Sequence, residues 1–232
     1  MTPMVLGQVA AVLRGAAVPF GDRPDARSAI AKQAVAGPVH VGTTGLQGDE
    51  QGDTRIHGGP DKAVHQYPLG HYALWHSELG ELPVLTQPGA FGENIASTGM
   101  TEADLCWGDR VRMGSVLLEV AQTRQPCWKL NTRFGLPDMA LRLQRTGRTG
   151  WYYRVLEPGT LQAGDAITLV ARPHANWPLS RVIEMLYHRT LDAALLRELA
   201  ALPQLPPSWQ KLVARRLEQG EVEDWSRRTQ GG

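Results

Sequence analysis

The sequence predicts a mainly β domain over residues 1–172 and a small three-helix appendage over residues 178–228. Two observations carry the division. Short β-branched or apolar runs at 39–41, 116–120 and 167–170 alternate with glycine and proline punctuation, the texture of strands and turns. After His174-Ala-Asn-Trp-Pro178 the period changes. Leu179, Val182, Ile183 and Leu186 repeat at helical spacing, followed by Leu191, Leu195 and Leu199, and then by Trp209, Leu212 and Val213.

Taken in order, the β part is interrupted by one helix over 69–79, where Tyr72, Trp75, His76 and Leu79 fall on a single face. Leu105-Cys-Trp-Gly-Asp-Arg-Val111 and Leu161-Gln-Ala-Gly-Asp-Ala-Ile167 share an L-x-x-G-D-x-[VI] pattern that sets a Gly-Asp turn before a strand. The echo fits a barrel pseudo-repeat, and equally the chance recurrence of a common turn. In the appendage, Pro203 and Pro206-Pro207 separate the second and third helices, and either member of the Pro pair suits the opening of the last one.

A chain of 232 residues with 42% hydrophobic and 20% charged residues can bury a core without disulfides or structural metals. Its formal net charge of +1 gives no field that would draw it to nucleic acid or an anionic membrane. Residues 178–228 hold eight Lys plus Arg against seven Asp plus Glu, which argues against a DNA-binding face on the three helices. No apolar run approaches a membrane span and the first residues lack the charged region of a signal peptide, so the chain is read as cytoplasmic, without a membrane or nucleic-acid partner.

Chemistry is concentrated in four places. The stretch from Gly45 to His65 is rich in glycine, whose backbone freedom suits an anion-cradling turn, and Arg55, His57 and Lys62 add charge-assisted donors. Composition alone suits a surface loop as well. Cys127 follows the apolar run 116–120, and the flanking Arg124 and Lys129 favour a thiolate, a soft metal donor or nucleophile. A lone cysteine is also commonly a buried structural one. Cys106 has Glu102, Asp104 and Asp109 near it and reads as structural. In Pro88-Gly-Ala-Phe-Gly-Glu-Asn-Ile95, Asn94 offers both donor and acceptor to a heterocycle, or caps a turn. The histidines show no zinc-site spacing, and His65 reads as packed.

Six segments in order and spacing, Ile30-Ala-Lys32, Gly45-Leu-Gln-Gly-Asp49, His57-Gly-Gly-Pro-Asp-Lys-Ala-Val64, Gly92-Glu-Asn-Ile95, Arg124-Gln-Pro-Cys127 and Gly150-Trp-Tyr-Tyr-Arg154, resemble the MOSC family. That family is named for the C-terminal domain of molybdenum cofactor sulfurases, and the nearer likeness is to its YiiM-type branch, which carries a three-α domain. The resemblance implies a MOSC-type antiparallel β-barrel with a cysteine in its cleft and chemistry tied to the molybdenum cofactor (molybdopterin). It implies Cys127 as catalytic residue and metal ligand, Lys32, Arg55, His57 and Arg124 on the polar parts of the pterin, and Asn94 against its ring. Ile56 stands where a second histidine is expected. A YiiM-like activity would reduce a small N-hydroxylated substrate such as a hydroxylamino-purine, drawing electrons from an external donor protein, since the chain has no flavin, haem or iron–sulfur motif of its own. Two other readings use the same residues: a sulfur carrier with a Cys127 persulfide, and a non-catalytic regulator that binds through its helical tail.

Overall fold

Short apolar runs cut by turns can satisfy their backbone polar groups only by pairing, and here they pair into a closed sheet. The computed structural model describes residues 4–21, 23, 25–52, 58–188, 191–203 and 205–231. Its strands are β1 (Met4–Arg14), β2 (Val18–Pro19), β3 (Arg27–Ser28), β4 (Gln33–Val35), β5 (Val39–Gly42), β6 (Gly45–Leu46), β7 (Val64–Pro68), β8 (Ile95–Thr98), β9 (Arg110–Met113), β10 (Val116–Thr123), β11 (Trp151–Glu157), β12 (Gly159–Leu161) and β13 (Ala166–Ala171). Seven form a barrel in the order β13-β9-β10-β11-β7-β8-β1, closed where Met4 meets Leu169 and Gln8 meets Ala166. Strand β4 adds to the far end of β1, β12-β5-β6 form a small sheet, and β2 and β3 pair as a hairpin.

The predicted barrel is therefore present, with one departure from a wholly antiparallel one. Strands β7 and β8 run parallel, because the chain between them crosses over through a helix, α1 (Gly70–Leu79), instead of turning back in a hairpin. The Gly-Asp echo is structural. Gly108 and Gly164 both take positive φ, and the carboxylates of Asp109 and Asp165 accept the N–H of Cys106 at 2.9 Å and of Gln162 at 2.8 Å. The strands that follow the two turns, β9 and β13, are barrel neighbours.

Two further helices, α2 (Lys129–Phe134) and α3 (Met139–Thr146), pack with α1 into an apolar cluster outside the barrel that includes Tyr67, Trp75, Phe91, Leu130, Phe134 and Leu143. Tyr67 and Phe91 stack at 4.0 Å, and Tyr67 Oη accepts from Trp75 Nε1 at 2.8 Å. This cluster forms the floor that supports the segment 89–94.

The appendage consists of α4 (Leu179–Tyr187), α5 (Ala193–Ala200) and α6 (Pro207–Gln219). Pro207 opens α6 as expected. Leu191 does not join the apolar face of α5: it precedes the cap, where Asp192 accepts the N–H of Ala194 and Leu195, and it is exposed. All eight residues of β10 are buried, as a strand must be when the barrel interior covers one face and other elements cover the second. Trp209 of α6 reaches it, donating from Nε1 to Gln122 Oε1 at 3.1 Å, and lies against Trp107 at 5.5 Å. A final helical turn over 227–231 returns to the barrel side. No helix among the described residues is long and apolar enough to cross a membrane.

Trp209 joins the appendage to the barrel core through both its ring and its N–H. Trp209→Ala is expected to lower unfolding stability by about 3–5 kcal/mol, read from urea denaturation. A loss within experimental error of zero would mean that the appendage packs without this anchor.

Candidate functional site

A cleft opens where the barrel rim meets the second apolar cluster, enclosing about 570 Å³ of space with its open mouth included. It is walled by five stretches of chain: 28–32, 49–52, 62–65, 91–94 and the segment from Arg124 to Lys129, with Tyr152 behind. Two glycines allow the walls to come together. A Cβ on Gly52 would lie 2.1 Å from Arg27 O, so only glycine lets this segment approach β3. Gly150 sits at φ +70° with Gln66 O and His65 Nε2 within 3 Å of any added Cβ, which seats the start of β11 against β7.

Of the residues expected at the site, Lys32, Asn94, Arg124 and Cys127 line this cleft. Arg55 and His57, like the departing Ile56, lie outside the described residues. The ends of the Gly-rich segment that are described, residues 49–52 and Lys62, share the cleft with Cys127.

Asp49 organises one wall. Its Oδ1 accepts the Gly15 N–H at 2.8 Å and the Lys32 ammonium, and its Oδ2 accepts from Asn94 Nδ2 at 2.8 Å. Asn94 also donates to Leu13 O at 3.3 Å and accepts the His65 N–H at 3.1 Å. Both of its donors and one acceptor site are thus committed to protein partners, which leaves a single lone pair for a ring edge. Behind it, the fully buried Glu93 takes the N–H of Gly89 at 2.7 Å, the N–H of Phe91 at 3.1 Å and the Tyr72 hydroxyl. That carboxylate shapes the turn presenting Asn94.

On the opposite wall, β10 ends at Thr123, the Arg124 N–H donates to Gly150 O at 3.1 Å, and Cys127 stands just before α2 with its thiol half-buried. The Arg124 side chain is buried, and its Nη1 has no hydrogen-bond partner among the described residues. Lys129, also at the cleft, donates to Arg27 O at 2.7 Å. Lys62 approaches from its own turn, which Arg154 and Gln122 fix through Asp61: Arg154 Nη2 to Asp61 Oδ1 at 2.6 Å, and Gln122 Nε2 to Asp61 O at 3.0 Å. Burial pulls the Lys62 ammonium below the usual lysine range, opposed by Cys127 and Asp61. Lys32 is also lowered by burial, with Asp49 opposing. Burial, followed by Arg124, holds the His65 imidazole well below its ordinary value, and burial raises Tyr152. Cations held in this way gain from any anion that enters beside them.

Cys106 contrasts at every point. It is buried outside the cleft, its Sγ faces Ala175 O at 3.6 Å, and burial followed by Asp109 pushes its thiol up, with Arg172 opposing. Among the described residues no group of three or more His, Cys, Asp and Glu side chains is arranged to hold a metal by itself.

The model of the MOSC domain family matches residues 53–168, and that of the YiiM-like, 3-alpha helix domain matches residues 177–220. The Escherichia coli protein YiiM is 38% identical over 204 residues, covering 88% of this chain and 91% of that one. The chain belongs to the MOSC family, in its YiiM-type branch. The crystal structure of E. coli YiiM superposes with a TM-score of 0.79 at 31% identity, over 98% of both chains. A protein of Gibberella moniliformis named "Reductase" is 44% identical over 177 residues, covering 76% of this chain but only 31% of that larger one. This MOSC chain thus falls in a family linked to the molybdenum cofactor.

Tyr152 and His65 belong to the cleft, although sequence reasoning gave them no part in it, and Asp49 lies in it as a residue of the Gly-rich segment to which no role of its own was assigned. For Asp49 the one available signal was its place at the end of Gly45-Leu-Gln-Gly-Asp49. The buried neutral ring of His65 sets a pH dependence. Between its depressed folded value and about 6.5, the unfolded chain takes up a proton that the folded chain refuses, so stability falls as pH drops through that window by up to about 1.4 kcal/mol per unit. Urea unfolding at about pH 7 and about pH 5.5 should show this loss, and His65→Gln should reduce it. An equal loss in the variant would assign the effect to other groups.

Proposed function

We propose that this protein is a molybdenum-cofactor-dependent oxidoreductase that reduces N-hydroxylated compounds of the hydroxylamino-purine type, with Cys127 as the metal ligand. The observation that carries the reading is the joining, in one cleft, of a half-buried thiol and buried cations, of which Arg124 Nη1 lacks a partner among the described residues. Such a donor set fits a phosphate-bearing pterin that presents a high-valent metal to the soft thiolate donor. Arg124 would hold the anionic portion, joined by Arg55 and His57 from the adjoining segment. Asn94 would offer its free lone pair to the ring, and Lys32, neutralised by Asp49, would shape the wall.

The bound cofactor supplies the two-electron step. Reduction of an N-hydroxyl to an amine releases water and consumes two protons with those electrons, so the site must also deliver protons. Lys62 Nζ, lowered by burial, gives up a proton more readily than an exposed lysine and stands at the cleft beside Cys127. Tyr152 and the neutral His65 ring pack against each other at 4.9 Å and close the back of the cleft against water. The electrons come from a separate donor protein. The reductase name of the fungal relative supports the redox class.

Cys127→Ser is expected to abolish N-hydroxy reduction and bound molybdenum, while Cys106→Ser keeps most of both, with melting temperatures within about 2–4 °C of the parent. Molybdenum and pterin analysis of protein purified from cells with an intact cofactor pathway checks this. Sulfane sulfur on Cys127 without stoichiometric molybdenum would move the assignment to a sulfur carrier. A folded, fully active Cys127 variant would remove the thiol from the mechanism.

A further inference from the structure

The segment after α6 returns to the cleft and grips the chain on both sides of Cys127. Arg228 Nη1 donates to the carbonyl of Pro126, the residue before the thiol, at 2.5 Å. The N–H of Trp128, the residue after it, donates to the Arg228 carbonyl at 2.8 Å. One residue of the tail therefore holds both neighbours of the cysteine. Next to it, Asn131 Nδ2 donates to Thr229 O at 2.8 Å, and the Arg23 guanidinium lies over the Trp128 ring at 4.3 Å while donating to Gly231 O.

The other end of this strap is fixed to the three helices. The Trp225 ring meets Tyr187 of α4 edge-on at 5.6 Å. Glu223 Oε1 accepts from Trp225 Nε1 and from Nη2 of the fully buried Arg216 of α6, each at 2.8 Å. Thr229 closes the turn by donating from its N–H and its hydroxyl to Trp225 O at 2.8 and 2.9 Å. An unbroken set of contacts thus runs from α4 and α6 through Trp225 and Arg228 to the loop that carries the thiol. The strap lies beyond residues 177–220, the part that matches the helical family model.

We infer that Arg228 is the positioning residue for Cys127, and that the three-helix appendage serves the cleft by anchoring this strap. The inference rests on Cys127 being the reactive thiol proposed above. A ligand sulfur must be held to within a fraction of an ångström, and the loop between Thr123 and Lys129 leaves the barrel where the Arg124 N–H donates to Gly150 O. The side chain of Arg228 and its own carbonyl restrain that loop on both sides of the thiol.

The test is the rate at which iodoacetamide alkylates each cysteine in the full-length, cofactor-free protein, followed by peptide mapping. Arg228→Ala removes the grip on Pro126, Trp225→Ala releases the strap from the helices, and Arg228→Lys keeps a cationic donor. In the Ala variants Cys127 should react about tenfold faster, the effect expected for one charge-assisted hydrogen bond, with Cys106 unchanged and Arg228→Lys recovering most of the parental rate. In the loaded enzyme kcat should fall in the same order with KM held. Parental Cys127 rates in folded Ala variants would overturn the inference, as would equal acceleration at Cys106, which reports general loosening. A Cys127→Ser variant that stays active would overturn the proposed function while leaving the alkylation result intact.

Discussion

Removing a carboxylate from water costs several kcal/mol unless donors replace the lost hydration, and Asp49 meets that demand with three: a backbone N–H, an amide and an ammonium. Each donor arrives from a different part of the chain. Gly15 follows β1, Lys32 comes from the segment before β4, and Asn94 leads into β8. The carboxylate therefore fixes the relative position of three cleft walls. Through Asn94 it also reaches the backbone of Leu13 and His65. Loss of this one group would strip the buried Lys32 ammonium of its carboxylate and leave one N–H of the buried Asn94 amide unpaired, and the cleft would lose its shape before it lost any ligand.

Across the cleft, the two cysteines occupy different environments. Cys106 is tucked into a turn whose Asp109 accepts its N–H, and its sulfur faces a carbonyl. Cys127 stands at a junction of strand end, helix start and returning tail, facing an opening lined by cations. The difference lies in what surrounds each sulfur in space, and only part of that is adjacent in sequence. Lys129, two residues from Cys127, is committed to Arg27 O, whereas Lys62, remote in the chain, stands close enough to interact with the thiol.

Which parts of this architecture could be read in advance follows from the range of the interactions. Strands β5, β10 and β13 and helices α4 and α6 announce themselves by local period and punctuation, and the barrel followed from the resemblance of six short segments. The parallel pairing of β7 with β8 carries no local mark, because it is set by the crossover through α1. Helices α2 and α3 have six and eight residues, too few for a period to show. Leu191 has the right spacing for α5 but is displaced by the cap at Asp192. At the site, Cys127, Arg124, Lys32 and Asn94 were legible from motif, and the cleft contains them. Asp49 was not, since its partners lie 34, 17 and 45 positions away.

Closure of the barrel by its first and last strands bears on how the protein is made. Along one edge, the stretch from Met4 to Gln8 pairs with Ala166–Leu169, some 160 positions downstream. Until that strand has emerged from the ribosome, the outer edge of β1 has no mate, and the apolar lining around Val9 and Val12 has no closed interior to enter. Contacts of such long span form late and slowly. A nascent chain arrested before residue 166 thus presents an open sheet edge beside apolar side chains, the form of intermediate that chaperones shield and that otherwise joins to its own copies.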